Sequence, residues 1–572
     1  MKGDEGTREG TKDAYARARP TPSLRVGVLL GDDVQPRWLL HALRYIEDSS
    51  VAHIVTVMIT EPQRRPGAIG ARPESSHLLY RLLLAADRRL FRRQPDPYAK
   101  VSIAAVVTEA QWLRLPDATP LDGGVWTRIR DADLDVILCV GPCELGTRLI
   151  SAARHGVWYF PDLAPEPGIA CPVGFNATVH TEPVVETSLN QLTAEGTPGP
   201  VLYRAVSAVN RLSPHYTERR VLWKMATFPS RALEALAHTT SPPEDLRPSE
   251  SPVVVSPVGP ATMPSPARML GIVGRLGSRQ VAHAVRSALY RPEWTVAYRR
   301  DAVLSWETLT RPRQAGIYTE INSPPDRFWA DPFPVFDGNT HWLFVEEFPH
   351  AAERAHLSVM EFYPDGGVGP SIPILSRAYH LSYPFVFHWA GDWYMVPETH
   401  ENQAIDLFRS PRFPFDWTFA RRLVDGVRAV DATLAEIDGR WWMFTTIAPY
   451  GGSENDELHI YLADSPLGPW APHPGNPQWS DVRCSRPAGR IFALDGVWYR
   501  PAQDCSRRYG YAVTINRITV LSDTGYAEEE VARIDPSWAR GLLGTHTFNH
   551  SHGITMVDDA RWRPRVACRF RW

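Results

Sequence analysis

The spacing of apolar positions changes character about half-way along the chain. In the first half, continuous apolar runs alternate with amphipathic stretches. "LRVGVLLG" at 24–31 has the continuous apolar texture of a strand covered on both faces. The 3.6-residue pattern of "PRWLLHALRYIEDS" then predicts a helix, and "HIVTVMIT" a second strand. "LDVILCVG" at 134–141 repeats the strand and "CELGTRLISAARHG" the helix. This alternation predicts an α/β domain built on a parallel sheet over residues 24–237. Residues 238–267 are dense in Pro and Ser and carry neither period, which marks a solvated linker. A helical pattern follows at 268–291.

From residue 292 the texture is short aromatic segments separated by Gly, Asp and Pro, and fifteen of the twenty tryptophans lie there. A repeat accounts for them. "FDGNTHWLFVEE", "WAGDWYMVPET", "IDGRWWMFTT" and "LDGVWYRPAQD" each put an aromatic strand after a tight turn, and their glycines, Gly338, Gly391, Gly439 and Gly496, are 53, 48 and 57 residues apart. Such a period suits four-stranded propeller blades of roughly 40–50 residues. A preceding strand is expected to open at Asp331, Tyr383, Asp431 and Arg486, and a fifth, "GTHTFNHSHG", at His546. Five inner strands predict an all-β five-bladed propeller over 292–560, with these five residues gathered at one axial mouth. The Asp–Pro pair at 331–332 is out of place in a strand interior, and an innermost edge is where it is tolerated.

Charge narrows the class of partner. Lys and Arg total 61 against 64 Asp and Glu, so no global field recruits nucleic acid. Residues 1–23 are charged, lack an apolar signal region and read as disordered, and no stretch has the length of a membrane span. A cytoplasmic protein is expected, closing on a basic, aromatic tail at 561–572. The six cysteines show no zinc or disulfide spacing.

At the expected mouth, Asp331 and Asp431 offer carboxylates, with Glu398 of "MVPETHEN" the nearest further acid. Cleavage of a glycoside needs one protonated and one ionised carboxyl group about 5 Å or roughly 6.5–9.5 Å apart. The same Asp positions also suit turn caps that accept backbone N–H groups. Arg486, Gln503 and Asp504 extend the mouth with donors and acceptors fitted to sugar hydroxyls or a phosphate, while Arg486 equally suits an ion pair with Asp431 or Asp504. Trp329, Trp393 and Trp442 present faces for sugar stacking or for packing between blades. His546, His550 and His552 alternate along one segment, so a cation near His546 is the one ion considered; no cofactor is otherwise expected.

The segments "RFWADPFPVF", "LSYPFVF", "YMVPET", "AVDATL", "HIYLADSPLGPW", "SRPAGR", "YRPAQDCSRRYGYA" and "GTHTFN" together resemble the propeller domain of the glucosamine inositolphosphorylceramide transferases of plants and their bacterial relatives. More distantly they are similar to the arabinanase, xylosidase and fructosidase propellers. That likeness implies a base or nucleophile at Asp331 and an orienting or tuning carboxylate at Asp431. The general acid of those hydrolases is a Glu in a later blade, where this chain has Arg486. The plant relatives carry a separate glycosyltransferase domain after the propeller; its absence here favours binding or an unassisted propeller activity.

The first half resembles the catalytic domain of methionyl-tRNA and sugar-nucleotide formyltransferases, through "DLDVILCVGP", "AARHGVWYFPD", "VETSLNQL" and "GTPGPVLYRA". The resemblance implies a Rossmann-type domain whose Asn, His and Asp perform formyl transfer. Here those places hold Tyr159, Pro161 and Thr197, which cannot do that work, although Asp162 and Glu166 stand nearby. The expectation is therefore a degenerate formyltransferase-like α/β domain joined to a glycosidase-like propeller that binds a carbohydrate or glycolipid and acts as a hydrolase or glycosyl-transferring unit through Asp331, Asp431 and Glu398. Tyr383, Arg486, Gln503, Asp504, His546 and Trp329 are its expected contacts. The alternatives are a non-catalytic carbohydrate-binding scaffold and a formyltransferase-like enzyme acting on an amino sugar.

Overall fold

The computed structural model describes residues 23–60, 75–115, 123–140, 147–163, 172–193, 195–238, 265–301, 304–306, 309, 318–352 and 354–565. The expected N-terminal disorder, most of the linker and most of the C-terminal tail lie outside these residues, as do Glu166, Cys143, Cys171 and Cys568.

The N-terminal domain is a seven-stranded sheet in the order Gln111–Leu115, Ala52–Thr60, Leu24–Leu30, Val136–Cys139, Val157–Tyr159, Val184–Leu192, Pro198–Ala208. The first five strands pair in parallel. The last two are antiparallel, so the sheet is mixed and not purely parallel. Leu192 pairs with Pro198, and a connection that short can only reverse the chain. Helix Arg37–Glu47 buries Trp38, Leu39, Ala42, Leu43 and Ile46, one face of a 3.6-residue period, in the core beside the central strands.

Residues 290–564 fold into five sheets. Blades one to three take their strands consecutively, from Arg327–Phe336 to Ala471–Pro472, and blade four runs from Arg486–Pro487 to Tyr526–Ile534. The fifth blade is shared between the two ends of the domain. Its inner strands are Phe548–Ser551 and Ile554–Pro564, and its outer ones are Tyr290–Arg300 and Thr319–Ile321. The register runs unbroken from Tyr290 opposite Pro564 to Arg300 opposite Ile554, which closes the ring. The helix before it is Pro266–Leu289, so residues 290 and 291 belong to this strand.

Arg486 opens its strand as expected and the fifth inner strand begins at Phe548, two residues after His546, whereas the first three inner strands begin before the expected residues. Arg327–Phe336 starts four residues before Asp331, and its register with the next strand slips between Ala330 and Phe333. The same slip occurs between Ser382 and Phe385 and between Val430 and Thr433. At these bulges Asp331, Tyr383 and Asp431 adopt left-handed backbone, with φ of 50°, 46° and 53°. Pro332 therefore sits in a bulge that needs no ladder hydrogen bond from it, and the extra residue turns the side chain before it toward the axis.

The two domains are in direct contact. Val206 of the last sheet strand donates its N–H to Ser480 O at 2.8 Å and accepts from Val482 N at 3.2 Å. Helices Pro214–Met225 and Phe228–His238 supply Lys224, 3.5 Å from Asp456, and Arg231, 2.7 Å from Glu457. Ser213 caps the first of these helices by accepting from Tyr216 N at 3.0 Å.

Candidate functional site

A cavity of about 450 Å³ opens at the propeller mouth. Glu398, Arg486 and His546 line it, together with Trp294, Tyr509 and His380. Asp331, Asp431, Tyr383 and Gln503 are each under 5% exposed and lie behind this wall.

Arg486 organises the centre. Its Nε lies 2.6 Å from Asp431 Oδ2, its Nη2 3.2 Å from Glu398 Oε2, and its Nη1 donates to Asn455 Oδ1 at 3.1 Å. Gln503 Nε2 adds a bond of 2.9 Å to the same Asp431 oxygen. The ion pair weighed for Arg486 is thus formed with Asp431. Two carboxylates share one guanidinium, so they titrate as a unit. Burial raises Asp431 well above the usual range, with the Glu398 charge adding to it against the pull of Arg486. Burial also works against ionising Glu398, but the His400 hydrogen bond and Arg486 bring it down to about 2.

Asp331 belongs to a second cluster. Its Oδ1 accepts from Thr547 Oγ1 at 2.8 Å and its Oδ2 from Tyr383 N at 3.0 Å. His546 Nε2 stands 3.4 Å away, while His546 Nδ1 lies 2.7 Å from Asp558 Oδ2, close enough for an ion pair. Burial opposes a charged imidazole, yet Asp558 and Asp331 lift His546 to about 9. Burial, relieved only in part by His546, pushes Asp331 up to about 6. The partly hydrated Asp331 implied by a channel-mouth position is therefore replaced by a buried one. The bulge folds its carboxylate inward onto blades two and five.

Asp331, His546 and Asp558 are close enough to be considered as metal ligands. Their donor set is already used. Asp558 takes the N–H groups of His546, Thr547 and Asp331 at 2.9, 3.0 and 3.1 Å, both Asp331 oxygens are hydrogen-bonded, and His546 is held as a cation. The trio thus forms a closed network in which the His546 ring lies between the carboxylates of Asp331 and Asp558.

Further carboxylate–imidazole pairs complete the rim. His380 Nε2 lies 3.3 Å from Glu346, which against burial lifts it to about 9, and His400 Nδ1 lies 2.7 Å from Glu398. The mouth is thus nearly charge-balanced and rich in both donors and acceptors. It suits a ligand bearing many hydroxyls and few net charges.

Other expected contacts lie elsewhere. Trp329 donates its indole N–H to Glu347 at 2.9 Å and packs beneath blades one and five. Asp504 faces Arg533 and caps Ser506 N at 2.8 Å. Trp393 stacks on Phe413, Trp442 is in a separate core cluster, and His550 and His552 bond to Thr555 and Ser551. The aromatic lining comes instead from residues the repeat does not mark. Trp294 stacks on His546 with centroids 3.8 Å apart, and Tyr509 lies under the Arg486 guanidinium at 5.0 Å. Trp294 is on the strand that closes the ring from the far end of the domain, and Tyr509 is on a loop. Asp558, also unmarked, is in the second strand of blade five, outside the expected inner-strand positions.

In the N-terminal domain Tyr159 ends a strand, Pro161 and Asp162 form a single 3-10 turn, and Thr197 bonds Thr193 across the hairpin at 2.7 Å.

Residues 296–543 match the family model described as the N-terminal region of glucosamine inositolphosphorylceramide transferase 1. Over 211 residues the chain is 36% identical to glucosamine inositolphosphorylceramide transferase 1 of Oryza sativa subsp. japonica, covering 36% of this chain and 28% of that protein. The protein of that name from Arabidopsis thaliana is 35% identical over 211 residues, with the same 36% and 28% covered. The chain spans under a third of the length of these curated relatives. Similar solved structures include a GH43 β-1,3-galactosidase, at TM-score 0.32 and 9% identity over 38% of this chain and 52% of that one. An exo-β-1,3-galactanase from Clostridium thermocellum gives a TM-score of 0.31 at 12% identity over 41% and 59%.

Proposed function

We propose that the propeller recognises the sugar headgroup of a glycolipid at its mouth, as the binding part of a sugar-transferring system. One observation carries this reading: a cavity walled by Glu398, Arg486 and His546, flanked by Trp294 and Tyr509, on a domain similar in sequence to glucosamine inositolphosphorylceramide transferases. Aromatic faces beside paired charges are the usual furniture of a sugar site. Hydrolysis is a poorer fit. Glu398 is held ionised and cannot be the general acid near neutrality, and Asp331 has both oxygens engaged behind His546.

A second reading is favoured by the Asp431–Glu398 pair, in which burial and the Glu398 charge push Asp431 up while the His400 hydrogen bond and Arg486 hold Glu398 down, so that the two carboxyl groups differ in proton affinity as an acid and a base do. Calorimetry and product analysis with a glucosamine–inositol phosphate headgroup separate the two, using wild type and Glu398→Gln. Binding without turnover in wild type supports recognition. Turnover that Glu398→Gln abolishes while binding persists supports catalysis. No binding by wild type sinks both.

The N-terminal domain is, in this proposal, a formyltransferase-like scaffold that performs no formyl transfer, because Tyr159, Pro161 and Thr197 offer no base or oxyanion donor of the required kind. Transfer from a formyl-folate to an amino sugar, measured on the whole chain, would refute this. Its role is support. Helices Pro214–Met225 and Phe228–His238 grip residues 448–457, the loop that brings Glu454 and Asn455 to the cavity.

A further inference from the structure

Helix Pro266–Leu289 has two apolar stripes, and only one is buried. Met269, Ile272 and Leu276 pack on Tyr80, Phe175 and Val179. Leu270, Val281, Val285 and Leu289 point elsewhere and are 60, 63, 54 and 52% exposed. At about 100° per residue these four fall within an arc of roughly 100°, shared with the small residues Gly274 and Ala288. From 281 to 290 every residue except Ser287 is exposed. An outer stripe of this extent on a helix end standing clear of the body is an unsatisfied apolar surface.

The charge beside it has one sign. The helix carries Arg268, Arg275, Arg279 and Arg286 and no Asp or Glu, at a spacing that sets them along one side next to the outer stripe. Arg279 is tied to Thr178 O and Val179 O, whereas Arg268, Arg275 and Arg286 are exposed. Arg286 lies over the Trp562 ring at 5.7 Å. Arg508, whose proton affinity is lowered by burial and then by Arg211 and Arg286, shows that further arginines converge on this end. This end is joined through the chain to two residues of the cavity wall. The helix runs directly into the strand bearing Trp294, and Arg508 precedes Tyr509.

We propose that this helix docks the protein on an anionic lipid surface, with the outer apolar stripe entering the interface and the arginines meeting lipid phosphates. A helix with an exposed apolar stripe and a purely cationic flank is built for such a surface. Pairing with a second copy through the same stripe would bring two rows of arginines together, which like-charge repulsion opposes. Among the described residues no helix is long and apolar enough to span a bilayer, so the contact is a surface one for this helix. The proposal does not depend on the sugar reading.

The test is co-sedimentation of the full chain with phosphatidylcholine vesicles and with mixed phosphatidylcholine–phosphatidylglycerol vesicles. Wild type is expected to pellet with the mixed vesicles only, and less as salt rises. The triple variant V281S/V285S/L289S changes exposed side chains, so its melting temperature is expected to match wild type while its partition falls at least about tenfold. Failure of wild type to pellet, or equal pelleting of the folded triple variant, overturns the proposal. A wild-type dimer in light scattering that the triple variant loses, without vesicle binding, assigns the stripe to a second copy and also overturns it. Vesicle binding that persists when no soluble headgroup binds supports the docking and removes only the reading of the mouth.

Discussion

Arg231 in the N-terminal domain holds Glu457 in the propeller through both arms of its guanidinium, Nη1 to Oε1 and Nη2 to Oε2 at 2.7 Å each. Glu457 is 1% exposed, and Tyr203 adds its hydroxyl to Arg231 at 3.0 Å. The pair binds the helices of one domain to the loop that walls the cavity of the other.

Removing one partner strands a buried charge. Arg231→Met is expected to destabilise the chain by about 3–5 kcal/mol, and Arg231→Met with Glu457→Leu to recover much of that loss. Denaturant unfolding of the four members of the cycle measures the coupling. Headgroup affinity is expected to fall in the single variant, because Asn455 reaches Arg486 from the same loop.

Asp331→Asn is expected to cost about 2–3 kcal/mol, more than a hydrated turn residue would. The amide has only one acceptor oxygen for Thr547 and the Tyr383 N–H, and it removes a charge facing His546. Thermal and chemical denaturation give the figure. A loss below about 0.5 kcal/mol would show that these contacts contribute little.

His546 predicts a pH dependence. Its folded pKa of about 9 lies above its ordinary 6.5, so its contribution is fully present below 6.5 and is lost as pH rises through about 9. The size is on the order of 3 kcal/mol. His380, also lifted to about 9, acts in the same window. Unfolding free energies measured from pH 6 to 10 are therefore expected to fall in wild type and to fall less in His546→Gln; parallel curves would contradict the assignment.

Arg486→Lys keeps a positive charge but loses the fork that spans Asp431, Glu398 and Asn455. Headgroup binding is expected to weaken by at least about tenfold, with a smaller stability loss than for Arg486→Met, which leaves two buried carboxylates facing each other. Calorimetry on both variants decides between a positioning role and a purely electrostatic one.

The sequence alone determined the four copies of the aromatic repeat and a fifth inner strand, the alternation of strand and helix before them, and the gathering of Asp331, Tyr383, Asp431, Arg486 and His546 around one mouth. Those features are written in local periods and turn residues, which need no knowledge of distant contacts. Tertiary structure decided what each residue does there. A one-residue bulge buries Asp331 and Asp431 behind the wall and leaves Glu398, Arg486 and His546 facing the cavity, and register slips of that size leave no period in a sequence. The contributions of Trp294, which pairs with Ala560 from 266 residues earlier in the chain, and of Asp558 depend on ring closure, a long-range pairing that no local pattern announces. The grip of Arg231 on Glu457 is of the same kind, because two surfaces far apart in sequence must meet before either charge has a partner.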